Sequence, residues 1–407
     1  MIEKIKNISD KPYYLLNTVF CVFLVLCGLF TNHTTDYPVH TDSMAHISFY
    51  LPDFFKLITG AGYPLWHITG RLIMLLLSCS PQTAAGLCTG IWLVASYLGV
   101  LYFTKGWFHQ RVNKYLIALL CFFLFFVGPI WVKWKNPSII LGCGGPNVWH
   151  NATNICGRAV GIFAFFFCMK LLDKMISSDY QYIPNWKTGI GLSAVLFFSL
   201  FAKPSFIQTF APAFAVLLIY YLIQSKGKLL KGFGVFCAAA VLPLVYLMRQ
   251  FLFYFSSSGD NVGIMTEKQG TGIEIYFMGT GMLLKSIDCQ FLILMFPMIL
   301  SGIMWAKGKF DRYNAVVWLM DLFSVVYIQL LHGAAGGEMG WAYYIALFFV
   351  YLVGIRDFIY LYFSDCEWKD QRIKKATFAA ACTVFSVNLL VGAYYFYKLA
   401  YCKGTMM

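Results

Sequence analysis

The chain opens with an apolar run, YYLLNTVFCVFLVLCGLF (residues 13–30), and a polar segment, TNHTTDYPVHTDSMAHISFYLPDFFKLITGAGYPLWH (residues 31–67), follows it directly. The apolar run predicts a membrane-spanning helix, because about 20 such residues cross the hydrocarbon core of a bilayer. Lys4, Lys6 and Lys11 precede it, but no small-residue cleavage site follows, so we interpret it as an uncleaved first span. The polar segment therefore begins at a membrane surface.

The composition indicates a polytopic membrane protein. Hydrophobic residues make up 59% and aromatic residues 19% of the 407 residues, more apolar surface than a soluble fold of this length buries. The formal charge of +13 does not indicate nucleic acid, because the basic residues lie in small groups between apolar runs instead of one stripe. Eleven runs are long enough to span a bilayer, near residues 13–31, 83–104, 115–132, 155–172, 188–203, 205–224, 232–254, 289–306, 313–331, 340–363 and 376–398.

The distribution of basic residues predicts the orientation. With a cytoplasmic N-terminus, and with the apolar run 64–78 lying along the interface, 20 of the 31 Lys and Arg residues fall on the cytoplasmic side. Six of the seven histidines then fall outside. We therefore predict an all-α polytopic membrane protein with about eleven transmembrane helices and interfacial helices in the first external loop, residues 31–82.

The first candidate site lies in this loop, where acids and histidines alternate at helical spacing. Asp36 and His40 form one i,i+4 pair, and Asp42 and His46 form a second. On a helix such a pair shares a face, so the carboxylate can orient the imidazole, or both can ligate one divalent ion. We therefore predict catalytic roles for these four residues. The simpler alternative is that Asp42 caps a helix over residues 43–57.

A second polar cluster occupies the external loops between later spans. The turn over residues 144–154 carries Trp149, His150 and Asn151, a stacking ring beside hydrogen-bonding groups, which suits a sugar. An interfacial Trp anchor and an ordinary helix cap are the alternative. Three other polar residues on the same side are further candidates for substrate binding: His67, His332 and Glu338.

Three cations lie near the external ends of apolar spans: Arg158, Lys203 and Arg249. A cation at this depth is costly unless it has a partner or extends to the headgroups. A lipid phosphate is such a partner, so the three are candidates for binding one. Extension of each side chain to the headgroups is the alternative explanation.

The opening of the chain resembles the GT-C superfamily of integral-membrane glycosyltransferases. The shared features are one span, an external loop with an early acid, an amphipathic interfacial helix, and a Tyr-Pro-Leu-Trp-His helix start at residues 63–67. The resemblance covers about residues 1–254, with residues 255–407 adding helices that complete the bundle. It implies that Asp42 is the catalytic acid of the first loop, with Asp36 as the other candidate. Ser43 follows Asp42 where several relatives have a second acid, so the resemblance leaves a Mg²⁺ or Mn²⁺ requirement open.

The function expected from these features is transfer of a sugar from a polyprenyl-phosphate carrier to a glycan, lipid or protein acceptor, at the external face of a bacterial cytoplasmic membrane. The resemblance implies an inverting reaction. A polysaccharide polymerase or ligase is the main enzymatic alternative, but its polar residues usually lie late in the chain. A transporter of lipid-linked oligosaccharides is the non-enzymatic alternative, although we find no internal repeat to support it.

Overall fold

The computed structural model describes residues 10–32, 46, 55, 57–58, 61–108, 111–132, 144–255, 274–275, 280–364 and 366–401. Twelve helices make up nearly all of this part of the chain. They are α1 (Lys11–Asn32), α2 (Leu65–Leu77), α3 (Pro81–Phe108), α4 (Lys114–Phe123, continued by a 3-10 turn Leu124–Phe126), α5 (Ala152–Ser177), α6 (Trp186–Ala202), α7 (Ser205–Gln224), α8 (Leu230–Phe255), α9 (Thr280–Ala306), α10 (Arg312–Leu330), α11 (Gly333–Phe363) and α12 (Gln371–Tyr401). Two short strands, β1 (Glu274–Ile275) and β2 (Leu331–His332), pair antiparallel.

The predicted class, an all-α polytopic membrane protein, is confirmed. Every one of the eleven predicted apolar runs coincides with a helix. Within the described residues, seven helices are long and apolar enough to cross a membrane by length and composition. The run 64–78 forms α2, whose 13 residues are too few for a span. The predicted loop helix over residues 43–57 falls mostly outside the described residues.

Small residues allow the first two long helices to pack backbone against backbone. A Cβ atom placed on Gly28 of α1 would lie 2.5 Å from the backbone nitrogen of Gly90 on α3. One placed on Gly86 would lie 2.9 Å from Leu29 Cα. Helices in lipid associate mainly through close packing, and small residues permit it. The α1–α3 contact therefore anchors the start of the bundle.

The predicted span at 115–132 is helical only as far as Phe126, which corrects its length. Pro129 has no amide hydrogen and restricts the residue before it, so the helix cannot continue through this point. The backbone groups left without helical hydrogen bonds bond to α12 instead. The Gly128 amide donates to the Asn388 carbonyl (2.9 Å), and Asn388 Nδ2 donates to the Gly128 carbonyl (2.9 Å). Irregular backbone at membrane depth is tolerated when protein groups satisfy it in this way.

A second asparagine completes the break in α4. Asn147 Nδ2 donates to the carbonyls of Leu124 (2.7 Å) and Val127 (3.0 Å), and Arg158 Nη1 donates to Asn147 Oδ1 (2.8 Å). This network holds the turn after residue 144 against the end of α4. The turn leads into α5, so its position fixes that of the polar residues at 150–154.

A buried ionic network joins α10 and α11 at their opposite end. Arg356 bonds to Asp311 (2.8 Å) and to Asp357 (2.7 Å), and Asn314 Nδ2 donates to Asp357 (2.5 Å). Asp311 also accepts from the amide of Asn314. Arg356 lies about 22 Å along α11 from Trp341 at a rise of about 1.5 Å per residue. The network therefore stabilises the end of the bundle remote from the polar residues that follow.

Candidate functional site

Lys203 occupies the break between two helices. Helix α6 ends at Ala202, and Lys203 is extended (φ −172°, ψ 138°) because Pro204 disfavours a helical conformation in the residue before it. Helix α7 begins at Ser205. The side chain of Lys203 is only 1% exposed. A Cβ on Gly157 of α5 would lie 2.9 Å from Lys203 Cβ, so glycine at this position lets the lysine pack against α5.

The Lys203 ammonium lies among oxygens and aromatic rings from distant parts of the chain. Nζ donates to Thr153 Oγ1 (3.0 Å) and Asn151 Oδ1 (3.2 Å). It also lies 5.1 Å from the ring centroid of Trp341 and 5.2 Å from that of Tyr63. Ring faces attract a cation within about 6 Å, more strongly when water is excluded. Oxygens and ring faces arranged in this way stabilise an ammonium in a buried position.

Asn151 has two roles in this arrangement. Its side-chain Oδ1 accepts from the Asn154 amide (2.8 Å), which is the N-cap interaction of α5. The same oxygen accepts from Lys203 and from Thr153 Oγ1 (3.0 Å). The helix cap therefore also orients an oxygen toward the ammonium.

Two buried histidines lie on the α2 side of the site. His46 Nδ1 and His67 Nε2 are 3.0 Å apart, and both rings contact the Trp66 indole edge to face. Burial, the second imidazole and the Lys203 charge lower the pKa of His46 well below its usual value. Burial, followed by the Lys203 charge, lowers the pKa of His67 to about 3. Both imidazoles are therefore neutral at pH 7.

A third histidine lies on the α12 side. His150 Nδ1 is 2.6 Å from the Tyr395 hydroxyl, and its ring centroid is 5.5 Å from that of Trp341. Burial and the nearby Lys203 charge lower the pKa of His150 to about 4. The Lys203 charge contributes to the lowered pKa of His46, His67 and His150, so all three imidazoles lie within range of one ammonium.

Trp149 packs against two aromatic rings of the core, and the role of its ring as a stacking platform for a sugar stays a prediction. Its ring centroid is 5.1 Å from that of Phe396 and 5.5 Å from that of Phe126, and the residue is 2% exposed. The aromatic rings beside the cation are Tyr63 and Trp341.

The three predicted cations do not form one cluster in the described structure. Arg158 lies between the rings of Phe348 (4.5 Å) and Phe125 (5.0 Å) and bonds to Asn147, a contact set that supports the break in α4. Arg249 is exposed and lies 5.6 Å from the Tyr246 ring centroid. The lipid-phosphate prediction therefore rests on Lys203 within the described part of the chain.

Several predicted site residues lie outside the described residues. These are Asp36, His40 and Asp42 of the first loop. The backbone of His332 pairs with Glu274, and Glu338 lies in α11, but the side chains of both also lie outside the described part. Their catalytic and binding roles remain predictions.

The described residues do not fit a divalent cation. Among them, no three His, Cys, Asp or Glu side chains come together as a metal-binding group. The His46–His67 pair supplies two nitrogens, but the Lys203 ammonium places a positive charge beside it. A second cation at this position would be repelled.

Sequence reasoning missed four contributors to the site. Tyr63 and Trp341 had a signal, since one begins the Tyr-Pro-Leu-Trp-His motif and the other follows a Gly-rich turn. Thr153 stands beside the predicted Asn151. Tyr395 lies in an aromatic stretch of α12 (residues 394–397), and no local pattern distinguishes it from its neighbours.

The fold and site define a polytopic membrane protein with a buried ammonium beside neutral imidazoles. No protein-family model and no curated protein matches the chain. Among solved structures it is similar to the archaeal oligosaccharyltransferase AglB from Archaeoglobus fulgidus, solved in complex with an inhibitory peptide and a dolichol-phosphate. The identity is 10% and the TM-score 0.48, over 95% of this chain and 56% of that one. This chain thus spans little more than half of that enzyme, and a TM-score of 0.48 carries no argument about activity, substrate or partner.

Proposed function

We propose that the protein is an integral-membrane glycosyltransferase that takes its sugar from a polyprenyl-phosphate carrier and transfers it to an acceptor at the external membrane face. The observation that supports this most directly is the buried Lys203 ammonium, held by Asn151 and Thr153 among imidazoles that are neutral at pH 7. A lipid phosphate is an anionic ligand that an ammonium binds through charge-assisted hydrogen bonds.

A phosphate suits this ammonium for electrostatic reasons. Charge-assisted hydrogen bonds are shorter and about twice as strong as neutral ones, and the attraction grows as water is excluded. The neutral His46, His67 and His150 add hydrogen-bonding capacity without a second positive charge. The site therefore combines one charge that attracts phosphate with neutral groups for the rest of the ligand.

An apolar cavity supports the choice of a lipid carrier. It has a volume of about 190 Å³ and is lined by side chains of α5 to α8, including Leu196, Leu200, Ile207, Phe210, Leu244 and Leu247. Leu200 and Ile207 lie within four residues of Lys203 along the chain, so the cavity begins on the membrane side of the cation. An isoprenoid tail in this cavity would bring its phosphate to Lys203.

The reaction needs a base and a stabilised leaving group. The acceptor hydroxyl attacks the anomeric carbon as a base removes its proton, and the bond from that carbon to the phosphate oxygen breaks. Lys203 stabilises the negative charge that develops on the departing lipid phosphate. Asp42 is the proposed base, with Asp36 as the alternative. A neutral imidazole such as His46 can donate a hydrogen bond that orients a neighbouring carboxylate.

The direct test is release of free lipid phosphate. Purified protein in lipid nanodiscs is incubated with a panel of polyprenyl-phosphate hexoses and pentoses and with glycan, lipid and peptide acceptors. Transfer with at least one donor supports the proposal, and Asp42→Asn should abolish it. Asp179→Asn is the matched control, because Asp179, just after the end of α5, forms an exposed ion pair (2.7 Å) with Lys228, just before α8. Absence of turnover with every donor would reject the transferase class.

A further inference from the structure

Two buried carboxamides hydrogen-bond to the backbone at or beside residues whose rings lie over Lys203. Asn154 Nδ2 donates to the backbone carbonyl of Trp341 (3.5 Å), and the Trp341 ring lies over the ammonium. Gln250 Nε2 donates to the carbonyl of Gly62 (2.7 Å), the residue before Tyr63. Asn154 is 1% exposed and Gln250 is 2% exposed. Both amides therefore belong to the layer of residues around the Lys203 site.

The orientation of each amide is set by its neighbours. A backbone carbonyl can only accept a hydrogen bond, so the nitrogen of each amide must face it. Gln250 Nε2 reaches a second carbonyl, that of Leu200 (2.9 Å), which fixes its orientation further. The side-chain oxygen of each residue is therefore the atom left to accept.

Neither oxygen has a hydrogen-bond donor among the described residues. Asn154 Oδ1 and Gln250 Oε1 are both fully buried without one. Leaving a buried acceptor unsatisfied costs about 1–3 kcal/mol, and buried polar groups are nearly always paired. Three more buried side-chain oxygens within five residues of Lys203 along the chain also lack a hydrogen-bond partner in the described structure: Ser199 Oγ, Ser205 Oγ and Gln208 Oε1.

The position of Gln250 relates these oxygens to the proposed donor site. Leu247, one turn before it on α8, lines the apolar cavity, and Leu200, whose carbonyl it contacts, lines it as well. Gln250 therefore lies at the end of the cavity nearest Lys203. Asn154 lies in the first turn of α5, and its backbone amide donates to the same Asn151 oxygen that accepts from Lys203. A group attached to a phosphate at Lys203 would therefore lie near both residues.

Resting on the proposed function, we infer that Asn154 Oδ1 and Gln250 Oε1 form a subsite that accepts hydrogen bonds from two hydroxyls of the transferred sugar and so selects the donor. Acceptor oxygens require a ligand that donates, and sugar hydroxyls do so where a phosphate or an isoprenoid tail does not. Sites that hydrogen-bond a substrate hydroxyl discriminate strongly against analogues without it, because the buried protein group is then unpaired.

The subsite is tested by binding, independently of turnover. Full-length protein in nanodiscs is titrated with polyprenyl phosphate, with the polyprenyl-phosphate hexoses, and with single-deoxy analogues of the best binder, and affinities are read by native mass spectrometry. The sugar should tighten binding over polyprenyl phosphate alone. Removing either of two hydroxyls should weaken it by about 5- to 150-fold, the range expected when one buried acceptor loses its partner.

The variants separate the two oxygens. The affinity of Asn154→Leu for the sugar donor should no longer depend on one of the two hydroxyls. Its dependence on the other hydroxyl and its affinity for polyprenyl phosphate should remain. Gln290→Leu is the matched control: its amide nitrogen donates to the Tyr343 hydroxyl (2.6 Å) and its oxygen is likewise unpaired among the described residues, but Tyr343 and Trp341 lie on different faces of α11. It should retain both dependencies.

The outcomes distinguish this inference from the proposed function. Equal binding of all deoxy analogues by the natural sequence, or two dependencies retained in Asn154→Leu, would overturn the subsite even if sugar transfer occurs. Clear dependence on two hydroxyls without any transfer would support the subsite and reject the transferase proposal.

Discussion

Replacing Lys203 with methionine should separate the stability of the fold from its activity. Methionine has a similar length and no charge, so it can fill the space against Gly157 and beneath the Tyr63 and Trp341 rings. The substitution removes the ammonium from the site while retaining most of its packing.

The expected loss of stability is small. Lys203 donates to Asn151 and Thr153, but Asn151 Oδ1 still accepts from the Asn154 amide and from Thr153 Oγ1 after the change. Replacing a buried charge with an apolar side chain also removes its desolvation cost. The free energy of unfolding should therefore change by no more than about 1.5 kcal/mol.

The expected loss of activity is large. Removing one group that stabilises charge in the transition state typically lowers the turnover rate by about 100- to 1,000-fold, or about 2.7–4 kcal/mol. The assay is release of lipid phosphate from the best polyprenyl-phosphate sugar, with thermal unfolding followed on the same samples. Lys187→Met is the matched control, since Lys187 is exposed at the opposite end of α6.

Two results would refute this reasoning. Turnover within about threefold of the natural sequence would show that Lys203 carries no charge stabilisation. A large drop in unfolding temperature with the remaining folded protein fully active would make Lys203 a structural residue. The control variant should behave as the natural sequence does in both measurements.

Three further predictions concern the fold around the site. Because the pKa of His150 is lowered to about 4 from 6.5, the unfolded chain binds more protons between these values, so this residue alone should lower stability by about 1.4 kcal/mol per pH unit as pH drops through this window; thermal unfolding between about pH 7.5 and pH 5 measures the total slope, to which His46 and His67 also contribute, and His150→Gln should reduce that slope by about this amount. Gly28→Ala should destabilise by about 1–3 kcal/mol, because its Cβ meets the α3 backbone, whereas Gly234→Ala in open space on α8 should be neutral or stabilising in the same unfolding assay. Asn147→Leu should cost about 2–4 kcal/mol, because two carbonyls at the break in α4 lose their donor; an unchanged unfolding temperature would contradict that role.

The helices were predictable because their apolar runs are long and are separated by charged or turn residues. The end of α4 had a local signal in Gly128-Pro129, but the apolar residues on either side favoured one continuous span. The backbone at this break is satisfied by a pair of hydrogen bonds to Asn388, 260 residues later. A hydrogen bond between residues so far apart in the chain cannot be predicted from a local sequence pattern.

The candidate site was predictable in its residue types more than in its grouping. Lys203, His150 and Asn151 were recognised as polar residues at the ends of apolar runs, and the structure brings them together. Trp149 is a candidate for stacking whose role stays a prediction, and the rings of Phe126 and Phe396 pack against it. Arg158 and Lys203 look alike in sequence, because each is a cation close to a turn at one end of an apolar run. Only tertiary packing distinguishes them: it places Arg158 between two phenyl rings and Lys203 near imidazoles.

Helix α12 supplies both Asn388, which closes the break in α4, and Tyr395, which touches His150 from 245 residues away. A ribosome delivers this chain to the membrane from its N-terminal end, so the earlier helices are inserted before either side chain has been synthesised. The newborn protein therefore passes through a stage in which its bundle is threaded across the bilayer but its polar centre is incomplete. Factors that protect incompletely assembled membrane proteins have the most time to bind this protein between insertion of its early helices and synthesis of α12.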